Sequence, residues 1–256
     1  MMVHMKKEKN IGIVGGVGPY AGIDLQHKIA EQTIANKDQD HLTVLSLSQP
    51  SRILDRTEYL LGRAATNPAG ALAEQLLLLS KMGAQVAAIP CNTAHAPQIF
   101  DVICTTLREA NCPLQLLHMI EETAVYIQTH HPHIKTIGIL STTGTYQTRI
   151  YPQILEPMGF TAVTPDPIMQ ETVIHPAIYD LEYGIKSGKI EVAREQLLHG
   201  VAALQEQGAE LIILGCTEIP LVFPETKIGS TLLIDPTKIL ARALIREANP
   251  NKLRME

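Results

Sequence analysis

Four cysteines stand at positions 91, 104, 112 and 216, and two of them share a setting. An apolar run opening at Gly83-Ala84 ends in Cys91-Asn92-Thr93, and another opening at Gly208-Ala209 ends in Cys216-Thr217-Glu218. A free thiol titrates near pH ~8.5, close enough to neutrality to take or give a proton during turnover. Run followed by cysteine places each thiol at the carboxyl end of a buried strand, just before a helix. The unpaired N–H groups and partial positive charge of a helix start favour thiolate and are expected to draw the thiol pKa down. Cys104 and Cys112 lack that setting and read as packing residues. With no CxxC pair and no regular framework, the thiols are expected to stay free in a reducing, cytoplasmic compartment.

The elements that must position these thiols come from a repeat. Ile11-Gly12-Ile13-Val14 with Gly18 and Tyr20 recurs as Ile137-Gly138-Ile139-Leu140 with Gly144 and Tyr146, 126 residues later, and the cysteine runs recur at an offset of 125. Each cysteine run follows an amphipathic helical pattern, Leu72, Leu76 and Leu79 in one half and Leu197, Val201 and Leu204 in the other. Short apolar stretches near 11–15, 42–48, 85–90, 114–118, 136–140, 160–164, 210–214 and 231–234 alternate with helical ones, the signature of parallel sheets with right-handed crossovers. The expected class is α/β, with two pseudo-symmetric parallel-sheet domains and the active site in the cleft between them. Residues 10–112 with 225–256 are expected to form the first, Cys91-bearing domain, and 113–224 the second, Cys216-bearing one. The last strand and helix, 231–247, are expected to return to the first domain, because the second half is complete at Cys216. Ligands of open parallel sheets bind beyond the carboxyl strand ends, so both thiols face a shared space. Two facing thiols suit removal of a proton from one face of a carbon and its return to the other, with backbone N–H groups holding a carboxylate.

Other motifs weigh less. Gly16-Val17-Gly18-Pro19-Tyr20-Ala21 fits a loose dinucleotide fingerprint, but the second strand ends in Leu45-Ser46-Leu47-Ser48 with no acid to grip a ribose, and the loop reads better as a cradle for a small carboxylate through Gly18. His130, His131 and His133 are interrupted by Pro132 and have no thiol or carboxylate at ligand spacing, so no metal is expected. His95, one helical turn past Cys91, reads as a structural histidine.

Gly15-Gly16-Val17-Gly18-Pro19, Pro90-Cys91-Asn92-Thr93-Ala94-His95, Thr142-Thr143-Gly144-Thr145 and Gly215-Cys216-Thr217-Glu218 together resemble the aspartate/glutamate racemase superfamily, and within it the aspartate racemases. The likeness runs from Asn10 to about Arg246. It implies a homodimeric racemase that needs no cofactor, with Cys91 and Cys216 as the two bases. By the same likeness Asn92, Thr93 and Ala94 line the substrate's carboxylate and ammonium site from the first half, Thr217 and Glu218 from the second, with Thr142 and Thr143 beside them. Arg56 in Asp55-Arg56-Thr57 and Lys186 in Gly184-Ile185-Lys186-Ser187-Gly188 match the segments that bind the side-chain carboxylate of aspartate. The chain departs from the pattern at Val17 and Ser141, neither of them in the proposed chemistry.

Composition bounds the partners. A formal net charge of −5 with no basic run argues against nucleic acid. The uncharged stretch 82–100 contains Gln85, Pro90, Asn92, His95, Pro97 and Gln98, which bars it from spanning a membrane. Lys6, Lys7 and Lys9 before an apolar stretch imitate a leader, but the stretch is rich in glycine and lacks a small-residue cleavage site, so it is expected to be strand and turn. A racemase of glutamate or another acidic amino acid, a dicarboxylate isomerase or decarboxylase, and a non-catalytic acidic amino-acid binder all remain compatible with the residues.

Overall fold

In the computed structural model, which describes residues 8–255, the chain forms two parallel sheets covered by helices. Lys6 and Lys7 lie outside the described residues; the apolar stretch that follows them is a strand and turn. The first half runs β1 (Ile11–Gly15), α1 (Pro19–Gln32), β2 (Val44–Ser48), α2 (Arg56–Leu60), α3 (Ala69–Lys81), β3 (Val86–Ala88), α4 (Pro97–Glu109), β4 (Gln115–Leu116) and α5 (Met119–His130). The second runs β5 (Thr136–Ser141), α6 (Thr143–Thr148), α7 (Ile150–Leu155), β6 (Thr161–Val163), α8 (Pro167–Met169), a π-turn leading into α9 (His175–Tyr179), α10 (Ile190–Glu206), β7 (Leu211–Gly215), β8 (Lys227–Ile228), β9 (Thr231–Ile234) and α11 (Pro236–Ala248). The sheet orders are β2-β1-β3-β4 and β6-β5-β7-β9-β8. Apart from the β8 edge, which is antiparallel to β9, the second order repeats the first.

Two boundaries differ from the sequence expectation. β4 pairs with β3, so the stretch after residue 113 still belongs to the first sheet, and β9 pairs with β7 instead of returning to the first half. Each half completes its order only when a fourth strand adds beside its third, satisfying backbone groups along an edge that would otherwise be bare. The return is made by the helices. α11 buries Leu240, Leu244 and Ile245 against Ile11, Ile13 and Val86 of the first sheet, while α5 buries Ile120, Ala124 and Ile127 against Ile137, Ile139 and Leu211 of the second. Each half therefore lends its last helix to the other, and the chain crosses between halves twice, at 117–118 and at 235.

The opposite sheet faces are closed by the two expected stripes. Leu72, Leu76 and Leu79 of α3 pack over Val14 and Ala87, and Leu197, Val201 and Leu204 of α10 over Leu140 and Ile212, all of them buried. Burial of this kind contributes about 1.5–3 kcal/mol per large side chain.

At the second crossing Asp235 caps α11 by accepting from the Thr237 amide at 2.8 Å, and its other oxygen meets Lys28 of α1 at 2.6 Å. Lys28 also pairs with Asp24 on its own helix, and all three side chains are less than one-fifth exposed. Removing the ammonium would strand two mostly buried carboxylates. Lys28→Met is therefore expected to cost about 3 kcal/mol, read as a lower urea midpoint with an unchanged slope.

Candidate active site

The carboxyl ends of β3 and β7 bring the two sequence-predicted thiols to one cavity. β3 leads through Ile89 and Pro90 to Cys91, and β7 ends directly before Cys216. Both cysteines are buried, and both line a small space of about 20 Å³, room for about a single water. Arg56, Asn92, Thr93, Thr142, Lys186, Thr217 and Glu218 line it with them, so most of the residues expected from the sequence converge here. A larger cavity, about 770 Å³, opens between α1, α11 and the loop after Cys216, but neither cysteine reaches it.

Each cysteine continues into a short turn and not into a long helix. Asn92–His95 is one 3₁₀ turn before Pro97 starts α4, and the residues after Cys216 make another at Ile219–Leu221. At Cys216 the direction expected from a helix start reverses. Burial, followed by the Glu218 charge, pushes this thiol well above its ordinary value. Its Sγ donates to Glu218 Oε2 at 3.0 Å, while Oε1 accepts from Lys186 Nζ at 2.8 Å. Thr217 Oγ1 adds a third hydrogen bond at 3.1 Å. Burial works to raise Glu218, but Lys186 and these donors outweigh it and hold the carboxyl below its usual range. Burial likewise opposes the charge on Lys186, and Glu218 overcomes it, holding the ammonium above its ordinary value. Glu218 is therefore an anion, and Cys216 a thiol whose proton points at it.

Cys91 has different neighbours. Its Sγ lies 3.2 Å from Thr93 Oγ1, and the Arg56 guanidinium sits alongside. Burial opposes the Arg56 charge, but Cys91 and Asp55 more than compensate, keeping it above its ordinary value. Asp55 caps α2 by accepting from the Glu58 amide at 3.0 Å, which fixes the helix start that carries Arg56. Arg56 Nη1 donates to the Leu54 carbonyl at 3.2 Å; its Nε, like Asn92 Nδ2, is buried with no hydrogen-bond partner among the described residues.

The remaining expected residues lie just off the cavity. Gly18 faces Glu218, whose Oε1 would stand 2.6 Å from a Cβ there, so the carboxylate beside the glycine loop is the protein's own. Thr143 turns away to His175 Nδ1 at 3.1 Å, and Ala94 is buried in the first-half core. His95 serves structure: burial, then His118, push it down to about 3, so it is neutral, and its Nδ1–H donates to the Cys91 carbonyl at 2.8 Å.

Val17, Thr145 and Tyr179 also line the cavity: Val17, expected from the sequence to lie outside the chemistry, forms part of its wall, Thr145 stood out in the sequence only as part of a motif, and Tyr179 was not singled out. Tyr179 accompanies Lys186, whose Nζ lies 5.2 Å from its ring centre, and its hydroxyl meets Thr57 Oγ1 at 3.0 Å across the cleft. An aromatic seven residues before a lysine of interest was the only available signal.

The sequence profile of Asp/Glu/hydantoin racemases matches residues 14–244. The broad-specificity amino-acid racemase RacX of Bacillus subtilis is 27% identical over 244 residues, which cover 92% of this chain and 96% of RacX. The Picrophilus torridus aspartate racemase structure is similar with a TM-score of 0.79 at 27% identity, over 97% of this chain and 96% of that one. A Francisella tularensis glutamate racemase solved with D-glutamate shares the fold at 15% identity and a TM-score of 0.66, over 97% of this chain and 84% of that one.

Replacing Glu218 with Gln removes the charge that penalises the Cys216 thiolate, so the thiol should titrate at lower pH. Iodoacetamide labelling of Cys216, followed by peptide mass spectrometry across pH 6–10, is expected to show a downward-shifted midpoint and, near pH 8, about tenfold faster modification.

Proposed function

Because the chain belongs to the Asp/Glu/hydantoin racemase family, we propose that it interconverts L- and D-aspartate by proton transfer at Cα between two cysteines, with no cofactor. The observation that carries this reading is that Cys91 and Cys216, at repeat-equivalent strand ends, line one cavity. One thiolate takes the Cα proton from one face while the opposite thiol returns a proton to the other, and the roles exchange for the reverse reaction. The Cα–H bond breaks toward one sulfur, a C–H bond forms from the other, and charge is conserved throughout.

An acidic substrate is supported by charge. Two cationic side chains, Arg56 and Lys186, line the cavity, a match in number for the two carboxylates of aspartate. Lys186 has three N–H donors, so it can hold a substrate carboxylate while keeping Glu218, and Glu218 offers its own charge to the substrate ammonium. Arg56 and Lys186 are the residues we assign to the carboxylates. The Picrophilus enzyme's substrate points the same way. The homodimer implied by the sequence resemblance, and the cytoplasmic setting implied by four free cysteines, complete the reading. Among the described residues no helix is long and apolar enough to cross a membrane.

Purified protein incubated with L-aspartate and no pyridoxal phosphate is expected to yield D-aspartate by chiral chromatography; its absence at every pH tested would refute the proposal. Cys91→Ala and Cys216→Ala should each abolish racemisation and leave residual Cα exchange in deuterated water biased toward opposite enantiomers.

Losing a charge-assisted contact of about 1.5–3 kcal/mol, Arg56→Ala and Lys186→Ala should each lower kcat/KM for aspartate at least about tenfold. Alanine turnover should change little.

A further inference from the structure

Tyr151, on α7, is completely enclosed and takes no part in the chemistry above, yet it touches the motifs of both cysteines. Its ring lies against Gly215, the residue before Cys216: a Cβ at that glycine would stand 3.2 Å from Tyr151 Cε2 and 2.9 Å from Ser141 Cβ. Its hydroxyl reaches across the cleft to Asn92, the residue after Cys91, and donates to Oδ1 at 2.6 Å. Among the described residues that is the only hydrogen bond the phenol makes, so its proton has no other acceptor. If the amide were turned over, its NH2 would donate to the phenol oxygen and the phenol proton would be left with no acceptor.

The bond therefore fixes which end of Asn92 faces the cavity. With Oδ1 committed to Tyr151, Nδ2 is left buried without a partner, and Arg56 Nε is left in the same condition in the same cavity wall. Buried donors with no acceptor are costly, and two of them lining one small space call for an acceptor-only group such as a carboxylate. The second half has no counterpart of this device. At the repeat offsets Tyr151 corresponds to Leu25 and Asn92 to Thr217, whose hydroxyl is spent on Glu218.

We propose that Tyr151 is a positioning residue: by accepting nothing and donating to Asn92 Oδ1, it holds the amide NH2 toward the cavity, where with Arg56 Nε it forms a two-donor anchor for one substrate carboxylate on the Cys91 side. The inference rests on reading the cavity as an acidic amino-acid site, and it makes Tyr151 a determinant of affinity and not of proton transfer.

Tyr151→Phe keeps the ring and removes only the hydroxyl. In ¹H–¹⁵N spectra the side-chain amide signals of Asn92, identified by their loss in Asn92→Ala, are expected to shift or broaden in Tyr151→Phe; unchanged signals overturn the proposal whatever the substrate is. In aspartate turnover the variant should raise KM about tenfold and leave kcat within about threefold, and the same change made in Asn92→Ala should have no further effect on kcat/KM. An equal loss in both backgrounds, or a fall in kcat at constant KM, overturns it. Asn92→Asp, which keeps the acceptor for Tyr151 but swaps the donor for an anion, should weaken succinate binding in calorimetry beyond Asn92→Ala; binding as tight as wild type overturns it. A wild type that leaves aspartate unaltered would count against the substrate assignment alone; in that same protein shifted amide signals would still uphold the tyrosine's role and unchanged ones would still overturn it.

Discussion

The Lys186 ammonium, the Glu218 carboxylate and the Cys216 thiol stand in line at 2.8 and 3.0 Å where the two halves meet, the carboxylate and the thiol buried and the lysine partly exposed. The glycine loop after β1, from the other half, brings Gly18 against the Glu218 carboxylate. Charges interact more strongly as the surrounding dielectric falls, and an ion pair taken from water holds only while both members stay matched. Burial of the carboxylate therefore strengthens the pair and its grip on the thiol proton, and the rest of the cavity is arranged around it.

The repeat supplies two thiols at equivalent strand ends, but their surroundings are not equivalent. Cys91 has a guanidinium and a threonine hydroxyl for company, and Cys216 a carboxylate. A symmetric frame thus carries an asymmetric pair. Tyr151 and Asn92 belong to the same asymmetry, since their repeat equivalents lack both the phenol and the amide.

Much of this was legible in the sequence because it is written in period and position. Eight short apolar stretches became strands, both helix stripes were buried, and the two cysteine runs fell at matching strand ends. The partners of the fourth strands were not legible: Gln115–Leu116 and Thr231–Ile234 are short, and which sheet a short strand joins is decided by the edge waiting for it. The direction of the Cys216 shift was missed for a related reason. Sequence places a polar turn after β7 but does not reveal that Glu218 folds back onto the thiol two residues before it. Tyr151 went unread because an isolated tyrosine amid apolar residues looks like core, and its ring is indeed core; only the hydroxyl reaches beyond.

The exchange of α5 and α11 bears on where such a molecule comes from. A half-length chain would end in a helix whose apolar stripe has no sheet of its own to cover, and would leave bare the sheet face that the other half's helix now protects. Two such chains would satisfy each other by trading helices, each donating what the other lacks, around a two-fold axis with one cysteine from either copy. Joining the tail of one copy to the head of the next turns that swapped pair into a single polypeptide without moving an atom of either core. Once joined, the copies are free to diverge residue by residue, a liberty that a symmetric pair made from one gene does not have.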